Sequence, residues 1–232
     1  MDNSTVAFDY GANFRGRGYA TSTDKLAGTI LMIVTGAAIT LGSYNLYVLR
    51  QLSIFHNSFG YLAMSRTIAE VLCNLVHLVY SVPVTFLQPA NLLPQFNIAA
   101  FCISHFFGIH ACMIQTVISV NRMIAVCFPI QYKRMFNYKM LKIIIISFWI
   151  QAFLVILVFL VVPCNMLVYS PTVYGYVAVK CDPHLQDSYP ANFTMLMALA
   201  TVAFLYGRNI GQSVLIDIVA FDAYYLAHVC NG

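Results

Sequence analysis

Arg66 and Glu70 are two charged residues inside an apolar stretch, and they are the clearest candidates for chemistry in this sequence. They are four positions apart, so on a helix they share a face and can form an ion pair. His105 and His110 lie in another apolar stretch, but five positions turn a helix by about 500°, or about 140° net, so they do not share a face. These residues predict ion pairing and hydrogen bonding inside an apolar bundle.

Catalytic and metal-binding patterns are absent from the sequence. We find no catalytic pair of carboxylates, no nucleophile motif and no C-x-x-C or H-E-x-x-H spacing. The sequence therefore indicates neither an enzyme nor a metal or other cofactor.

The composition excludes an ordinary soluble domain. Of the 232 residues, 60% are hydrophobic and 9% are charged, whereas soluble domains carry about 25% charged residues. The mean hydropathy is +0.77. The net charge of +4 does not indicate nucleic-acid binding, because the basic residues lie in short segments between apolar runs. The composition predicts an all-α membrane protein, an antiparallel bundle of transmembrane helices.

Apolar runs of roughly 20 residues can cross a bilayer as helices. Four runs are long enough, at 26–49, 61–86, 96–123 and 143–162, and a shorter fifth run covers 191–206. A sixth, 214–229, contains Asp217 and Asp222, which would add about 5 to 7 kcal/mol to insertion if placed centrally. The runs divide the chain into a polar tail (1–25), a five-span bundle (26–206), and a short loop with a partial sixth helix (207–232).

The loop charges predict the orientation. Lysine and arginine collect in cytoplasmic loops. One set of alternate loops carries seven of them, and the other set carries only Lys180; the seven are Arg50, Arg122, Lys133, Arg134, Lys139, Lys142 and Arg208. The N-terminus is therefore expected outside, where Asn3 in Asn3-Ser4-Thr5 is a candidate glycosylation site.

The fourth loop, which this orientation places outside, contains Cys164 and Cys181. A disulfide between them would stabilise the protein by about 3 kcal/mol in the chain-entropy model. Cys102, near the outer end of the third run, is an alternative partner. Residues 173–179 alternate in a way that fits a short hairpin over the mouth of the bundle, and an irregular interfacial loop fits equally well.

One stretch resembles a known receptor motif. Asn121-Arg122, followed by Pro129-Ile130-x-Tyr132, resembles the Asp/Asn-Arg-Tyr box and the Pro-Leu/Ile-x-Tyr sequence of rhodopsin-like G-protein-coupled receptors. The chain is most similar to the nematode serpentine chemoreceptors of the Srx type, over about residues 27–206. Further shared features are Gly42 with Asn45, Ser58-Phe59-Gly60, Pro83, Trp149, and two cysteines in the second extracellular loop.

The resemblance implies roles for particular residues. A cytoplasmic switch and G-protein contact would use Asn121, Arg122, Pro129, Tyr132, Lys133 and Arg134. Interhelical polar contacts would involve Asn45, Arg66, Glu70 and Trp149. A small environmental or secreted molecule would bind between the outer halves of the helices, near His105, Phe106 and His110. The implied partners are a heterotrimeric G protein, a small-molecule ligand and the lipid bilayer of a plasma or ciliary membrane, with receptor oligomers left open.

The sequence departs from the resemblance near its end. A receptor of this kind has seven helices, and we find no seventh apolar run, so an incomplete receptor is expected. A small polytopic transporter or scaffold, and a non-signalling receptor fragment, remain as alternatives.

Overall fold

The computed structural model describes residues 16–91, 93–127, 132, 136–161 and 167–178. Its helices are α1 (Ser22–Gln51), α2 (Ser58–Val76), α3 (Val82–Leu87), α4 (Pro94–Cys127) and α5 (Tyr138–Val161). Four helical segments are long and apolar enough to cross a membrane: α1, the continuous Ser58–Leu87, α4 and α5. The four long runs predicted from the sequence are confirmed as helices, with ends shifted by one to five residues. The fifth and sixth predicted runs lie outside the described residues.

Helix α1 begins at Ser22, inside the segment expected to be a polar tail. Thr21 is its N-cap and forms a capping box with Asp24, in which each side chain accepts a hydrogen bond from the other residue's backbone N–H. Such caps stabilise a helix start by about 1 kcal/mol. The segment before the helix is also held, because Gly16 and Gly18 donate backbone hydrogen bonds to Pro89 and Gln88.

The second span changes its helical geometry near its C-terminal end. A π-helical turn, His77–Ser81, joins α2 to α3, and Pro83 follows it directly. A proline has no N–H to donate, and its ring crowds the carbonyl four residues earlier, which here belongs to Val79. The second span therefore accommodates Pro83 with a widened turn just before it.

The core of the bundle lies where the second span packs on α1 and α4, and where α4 packs on α5. Leu62, Ala69, Ile114 and Ala152 are completely buried there. Alanine at such positions allows close approach of helix backbones in a membrane. Many large apolar side chains of α1 and α5 are exposed instead, as expected for helices that contact lipid. The predicted all-α membrane bundle is confirmed.

An antiparallel hairpin follows α5. Strand β1 (Leu167–Ser170) pairs with β2 (Gly175–Ala178), with Tyr169 opposite Tyr176. Tyr174 adopts a left-handed backbone conformation, φ 57°, in the turn between the strands. Of the two alternatives left open by the sequence, the hairpin is the one observed.

Candidate functional site

Arg122 lies five residues before the C-terminal end of α4. Its side chain is exposed, and its guanidinium carbon lies 4.9 Å from the centre of the Phe59 ring. Such a cation–π contact contributes about 0.5 to 1 kcal/mol at an exposed site. In the described part of the chain no carboxylate pairs with Arg122. Its N–H groups therefore remain available to solvent or to a partner. The adjacent Asn121 is buried.

Tyr132, the tyrosine of the Pro-Ile-x-Tyr sequence, reaches the start of α2. Its hydroxyl lies 2.5 Å from Ser58 Oγ, and its ring packs on Phe136 at 5.4 Å between centres. Ser58 precedes Phe59 in the sequence, and the Arg122 guanidinium lies over the Phe59 ring. Two consecutive residues at the N-terminal end of the second span therefore contact the two motif residues, Ser58 contacting Tyr132 and Phe59 contacting Arg122. We call Ser58 and Phe59 the α2 platform.

The start of α2 is built around Gly60. The Asn57 side chain caps the helix by accepting a hydrogen bond from Gly60 N at 2.9 Å. A Cβ atom on Gly60 would overlap the carbonyl oxygen of Phe55, which belongs to the 3₁₀ turn Ser53–Phe55. Only glycine lets this turn pack against the first residues of α2. The glycine therefore fixes where the α2 platform begins.

A cavity of about 440 Å³ lies beside the α2 platform. Side chains of α1, α2 and α4 line it, with Arg66, Glu70, Gln115 and Arg122 among them. Arg66 pairs with Glu70 at 2.7 Å and donates to Gln115 Oε1 at 2.5 Å. The predicted Arg66–Glu70 ion pair is confirmed, and it extends to a hydrogen bond between helices.

Gly42 and Asn45 connect α1 to the second span near the same cavity. Asn45 Nδ2 donates to Thr67 Oγ1 at 3.3 Å. One turn away, a Cβ on Gly42 would meet Val71 Cγ2 at 2.5 Å. Gly42 thus allows α1 to approach the second span closely, and Asn45 adds one hydrogen bond between the two helices.

His110 lies at the junction of three helices. It is completely buried, stacks on Trp149 at 3.8 Å between ring centres and hydrogen-bonds Ser65 at 3.0 Å. Phe106 packs on the same indole at 5.3 Å. His105 stacks instead on Phe101 at 5.0 Å. The structure thus separates the two histidines, as their spacing predicts, and joins Phe106 and His110 to Trp149.

The hairpin is attached to the C-terminal end of the second span and to the N-terminal part of α4. Tyr169 Oη lies 2.6 Å from Thr85 Oγ1, and Tyr176 Oη lies 3.2 Å from Ser104 Oγ. Asn97 donates to Tyr169 O at 2.9 Å and accepts from Tyr169 N at 3.0 Å. Burial raises the pKa of Tyr169 and of Tyr176, so both phenols stay neutral.

The hairpin turn also contacts the start of α1. Tyr174 Oη donates to Asp24 Oδ1 at 2.5 Å. Asp24 is completely buried; it accepts from Thr21 and lies 3.6 Å from an Arg17 guanidinium nitrogen. The hydrogen bond to Asp24 raises the pKa of Tyr174 above its ordinary value of 10.0. The buried carboxylate thus ties together the pre-helix segment, α1 and the hairpin.

The profile of one protein family matches most of the chain. Serpentine type 7TM GPCR chemoreceptor Srx, as the family is described, is matched by residues 32–206. This chain belongs to the Srx chemoreceptor family. It is therefore a member of a receptor family and an integral membrane protein.

One curated Srx protein gives a pairwise match. Serpentine receptor class X 45 of Caenorhabditis elegans is 28% identical over 144 residues. The match covers 57% of this chain and 38% of that relative, so the chain spans well under half of the relative's length.

The Srx residues predicted from the sequence fall into three groups. Arg122 and Tyr132 meet at the α2 platform; Asn45, Arg66 and Glu70 lie around the cavity; Phe106, His110 and Trp149 form one aromatic group. Cys102 carries a free thiol. Six predicted residues lie outside the described part of the chain: Asn3, Pro129, Lys133, Arg134, Cys164 and Cys181. The glycosylation and the Cys164–Cys181 disulfide therefore stay predictions.

Several polar contacts of this Srx chain were not predicted. They involve Asp24 with Tyr174, Asn97 with Tyr169, and Gln88 with Pro171, whose carbonyl accepts from Gln88 Nε2 at 2.9 Å. Only Asp24 had a local signal, because Thr21-x-x-Asp24 is a capping-box pattern. The other two contacts join residues 72 and 83 positions apart, and neither partner has a distinctive neighbourhood in the sequence.

Proposed function

We propose that this chain is a chemosensory receptor that binds a small molecule at its outer end and engages a heterotrimeric G protein at its cytoplasmic end. Its setting would be a plasma or ciliary membrane, with the N-terminus outside. The observation that carries the proposal is the α2 platform, where Ser58 and Phe59 hold Tyr132 and Arg122. Membership of the Srx family supports the same function.

The cytoplasmic part of the proposal rests on the state of Arg122. Its guanidinium is exposed and stacked on Phe59, without a carboxylate partner in the described ranges. An arginine held in place but not neutralised suits recognition of backbone carbonyls or a carboxylate on a partner protein. Lys133 and Arg134, next to Tyr132 in sequence, would extend the positive surface.

The ligand part of the proposal concerns the region between the hairpin and α4. Tyr176 packs edge-on against Phe101 at 5.4 Å, and Phe101 stacks on His105. Ser104 adds a hydroxyl bonded to Tyr176. Phe101 and Ser104 are buried and Tyr176 is exposed. This aromatic group, with two hydroxyls and an imidazole but no formal charge, suits a small uncharged ligand with an aromatic or apolar body. His110 and Phe106 would support it indirectly, through Trp149.

The test of coupling replaces one exposed arginine at a time. The full chain in membrane vesicles is mixed with purified heterotrimers of each G-protein class, and nucleotide-free complex is measured. Removing a charge that is hydrogen-bonded at an interface costs about 2 to 5 kcal/mol, so Arg122→Ala should weaken a complex by about thirtyfold or more. Arg50→Ala, also an exposed arginine at an inner helix end, is the matched control. Equal binding by wild type and Arg122→Ala would contradict the proposal.

The proposed orientation is tested separately with glycosylation reporters. A reporter in the turn 171–174 should be modified, and one between 132 and 137 should stay unmodified. Modification of the second reporter would place the basic loop outside and overturn both the orientation and the coupling site.

A further inference from the structure

We propose that the inner end of α5 is a binding site for an anionic phospholipid, with the headgroup at Lys139 and Lys142 and an acyl chain along the helix face below them. Both lysines are exposed. They are three positions apart and so lie on the same side of the helix. The proposal goes beyond the receptor function and does not depend on G-protein coupling.

The positive charge of this site is not neutralised by the protein. Asp24 and Glu70 are the only acidic residues in the described ranges, and they pair with Arg17 and Arg66. The two lysines also follow the start of α5, where the helix dipole adds positive potential. An anion from outside the chain would therefore be attracted to this end of α5.

Two tyrosines place the site at the level of the lipid headgroups. Lys142 Nζ lies 4.3 Å from the centre of the Tyr138 ring, and Tyr138 packs on Tyr61 of α2 at 5.9 Å. Both tyrosines are exposed, and tyrosine favours the level of the lipid headgroups. The Asn137 side chain accepts from Met140 N at 2.9 Å and fixes the first turn of the helix. The ammonium groups are thus placed where a headgroup phosphate would lie.

The apolar surface next to the lysines indicates a lipid rather than a soluble anion. An exposed stripe continues down the same face of α5 through Ile143, Ile146, Ile150, Phe153, Leu154 and Leu157. At 100° per residue, all six lie within about 60° of the direction of Lys139. A free phosphate would use only the lysines, whereas a phospholipid fits the lysines and the stripe together.

The experiment uses Trp149, the single tryptophan of the chain, which lies about two turns beyond Lys142 on α5. The full chain is reconstituted into phosphatidylcholine nanodiscs that contain a fixed fraction of bromine-labelled lipid. The label is carried on phosphatidylserine in one series and on phosphatidylcholine in the other. We expect stronger quenching of Trp149 by the phosphatidylserine series, and a smaller difference at high salt.

Variants identify the residues responsible. Each lysine near an anionic surface is worth about a fivefold preference, so K139Q/K142Q should lose at least that much of the selectivity. K139R/K142R keeps the charge and should keep the selectivity. K25Q, which removes an exposed lysine at the opposite end of the bundle, should leave it unchanged.

Three results would overturn the proposal. They are equal quenching by the two lipids in the wild type, unchanged selectivity in K139Q/K142Q, and displacement of the labelled lipid by millimolar inorganic phosphate. Unchanged lipid selectivity combined with weaker G-protein binding in K139Q/K142Q would assign the lysines to a protein contact instead. The emission maximum of Trp149 in each variant verifies that the bundle is folded.

Discussion

Asn97 holds the backbone of Tyr169 through both atoms of its side-chain amide, across 72 residues of sequence. One bond goes to the carbonyl oxygen and the other comes from the amide nitrogen, so the side chain acts as a short additional strand beside β1. All of these groups are buried. The hairpin is therefore joined to α4 by its main chain as well as by tyrosine side chains.

Asn97→Ala should loosen the hairpin without unfolding the bundle. The substitution leaves a buried N–H and a buried carbonyl without partners, at a cost of about 1 to 3 kcal/mol each. Hydrogen exchange in β1 and β2 should rise, while exchange in α2 and α4 stays unchanged. Gln95→Ala, at an exposed position two residues earlier in α4, is the control. Unchanged protection of the hairpin in Asn97→Ala would contradict this account.

Ser58→Ala and Tyr132→Phe should each destabilise the inner end of the bundle by about 0.5 to 1.5 kcal/mol, because each removes one hydrogen bond. Since they remove the same bond, the double variant should cost little more than either single one. Unfolding in sodium dodecyl sulfate, followed by Trp149 fluorescence, measures the three free energies. Simple additivity would mean that the 2.5 Å contact contributes nothing.

Among glycine-to-alanine substitutions in the described part of the chain, Gly60→Ala should be one of the most destabilising. The new methyl group would overlap the Phe55 carbonyl and displace either the 3₁₀ turn or the α2 platform. Backbone displacement of this kind costs about 1 to 3 kcal/mol. Gly36→Ala is the matched control, because no neighbouring atom lies within 4 Å of the added Cβ, and alanine favours the helix. Equal stability of the two variants would contradict the predicted clash.

Glu70→Gln should destabilise the bundle more than the double change Arg66→Met with Glu70→Gln. The single change leaves the Arg66 charge without its carboxylate, whereas the double change removes both charges together. The bond from Arg66 to Gln115 joins two helices, and such bonds contribute about 0.6 to 1.7 kcal/mol in membrane proteins. The same unfolding assay ranks the variants. If the double variant were the less stable of the two, the charges of Arg66 and Glu70 would not depend on each other as this account requires.

The bond between Tyr174 and Asp24 should be lost in alkaline solution. Because the neutral phenol is the donor, its raised pKa means that the stabilisation is intact from neutral pH up to about pH 10 and is lost as the pH rises through the raised value. The tyrosinate absorbance of the wild type minus that of Tyr174→Phe measures this titration. Asp24→Asn should return the midpoint toward the ordinary value. An unshifted midpoint in the wild type would rule out the bond.

Features that depend on neighbouring residues could be predicted from the sequence. The four spans follow from apolar runs longer than a bilayer requires, and the Arg66–Glu70 pair from a spacing of four on one helix. The separation of His105 from His110 follows from helical geometry in the same way. Each of these properties is set within one helix, where distance along the chain determines distance in space.

Features that depend on how helices pack could not be predicted in this way. The stacking of Arg122 on Phe59 depends on how α2 and α4 are rotated relative to each other. The hydrophobic periodicity of the sequence does not determine that rotation. The burial of Asp24 requires Tyr174 and Arg17 to meet it from two directions. The sequence places Asp24 in the predicted polar tail (1–25), and that assignment gives no indication of its burial.

The π turn of the second span sets the rotational phase of the residues that follow it. Each residue of an α-helix advances by about 100°, and a π turn adds one residue to that count. Deleting one residue from His77–Ser81 would turn Thr85 and Gln88 by about 100°, away from Tyr169 and Pro171, and leave the α2 platform in place. The C-terminal and N-terminal parts of this span thus have separate rotational settings. The first matches the hairpin, and the second matches the C-terminal end of α4.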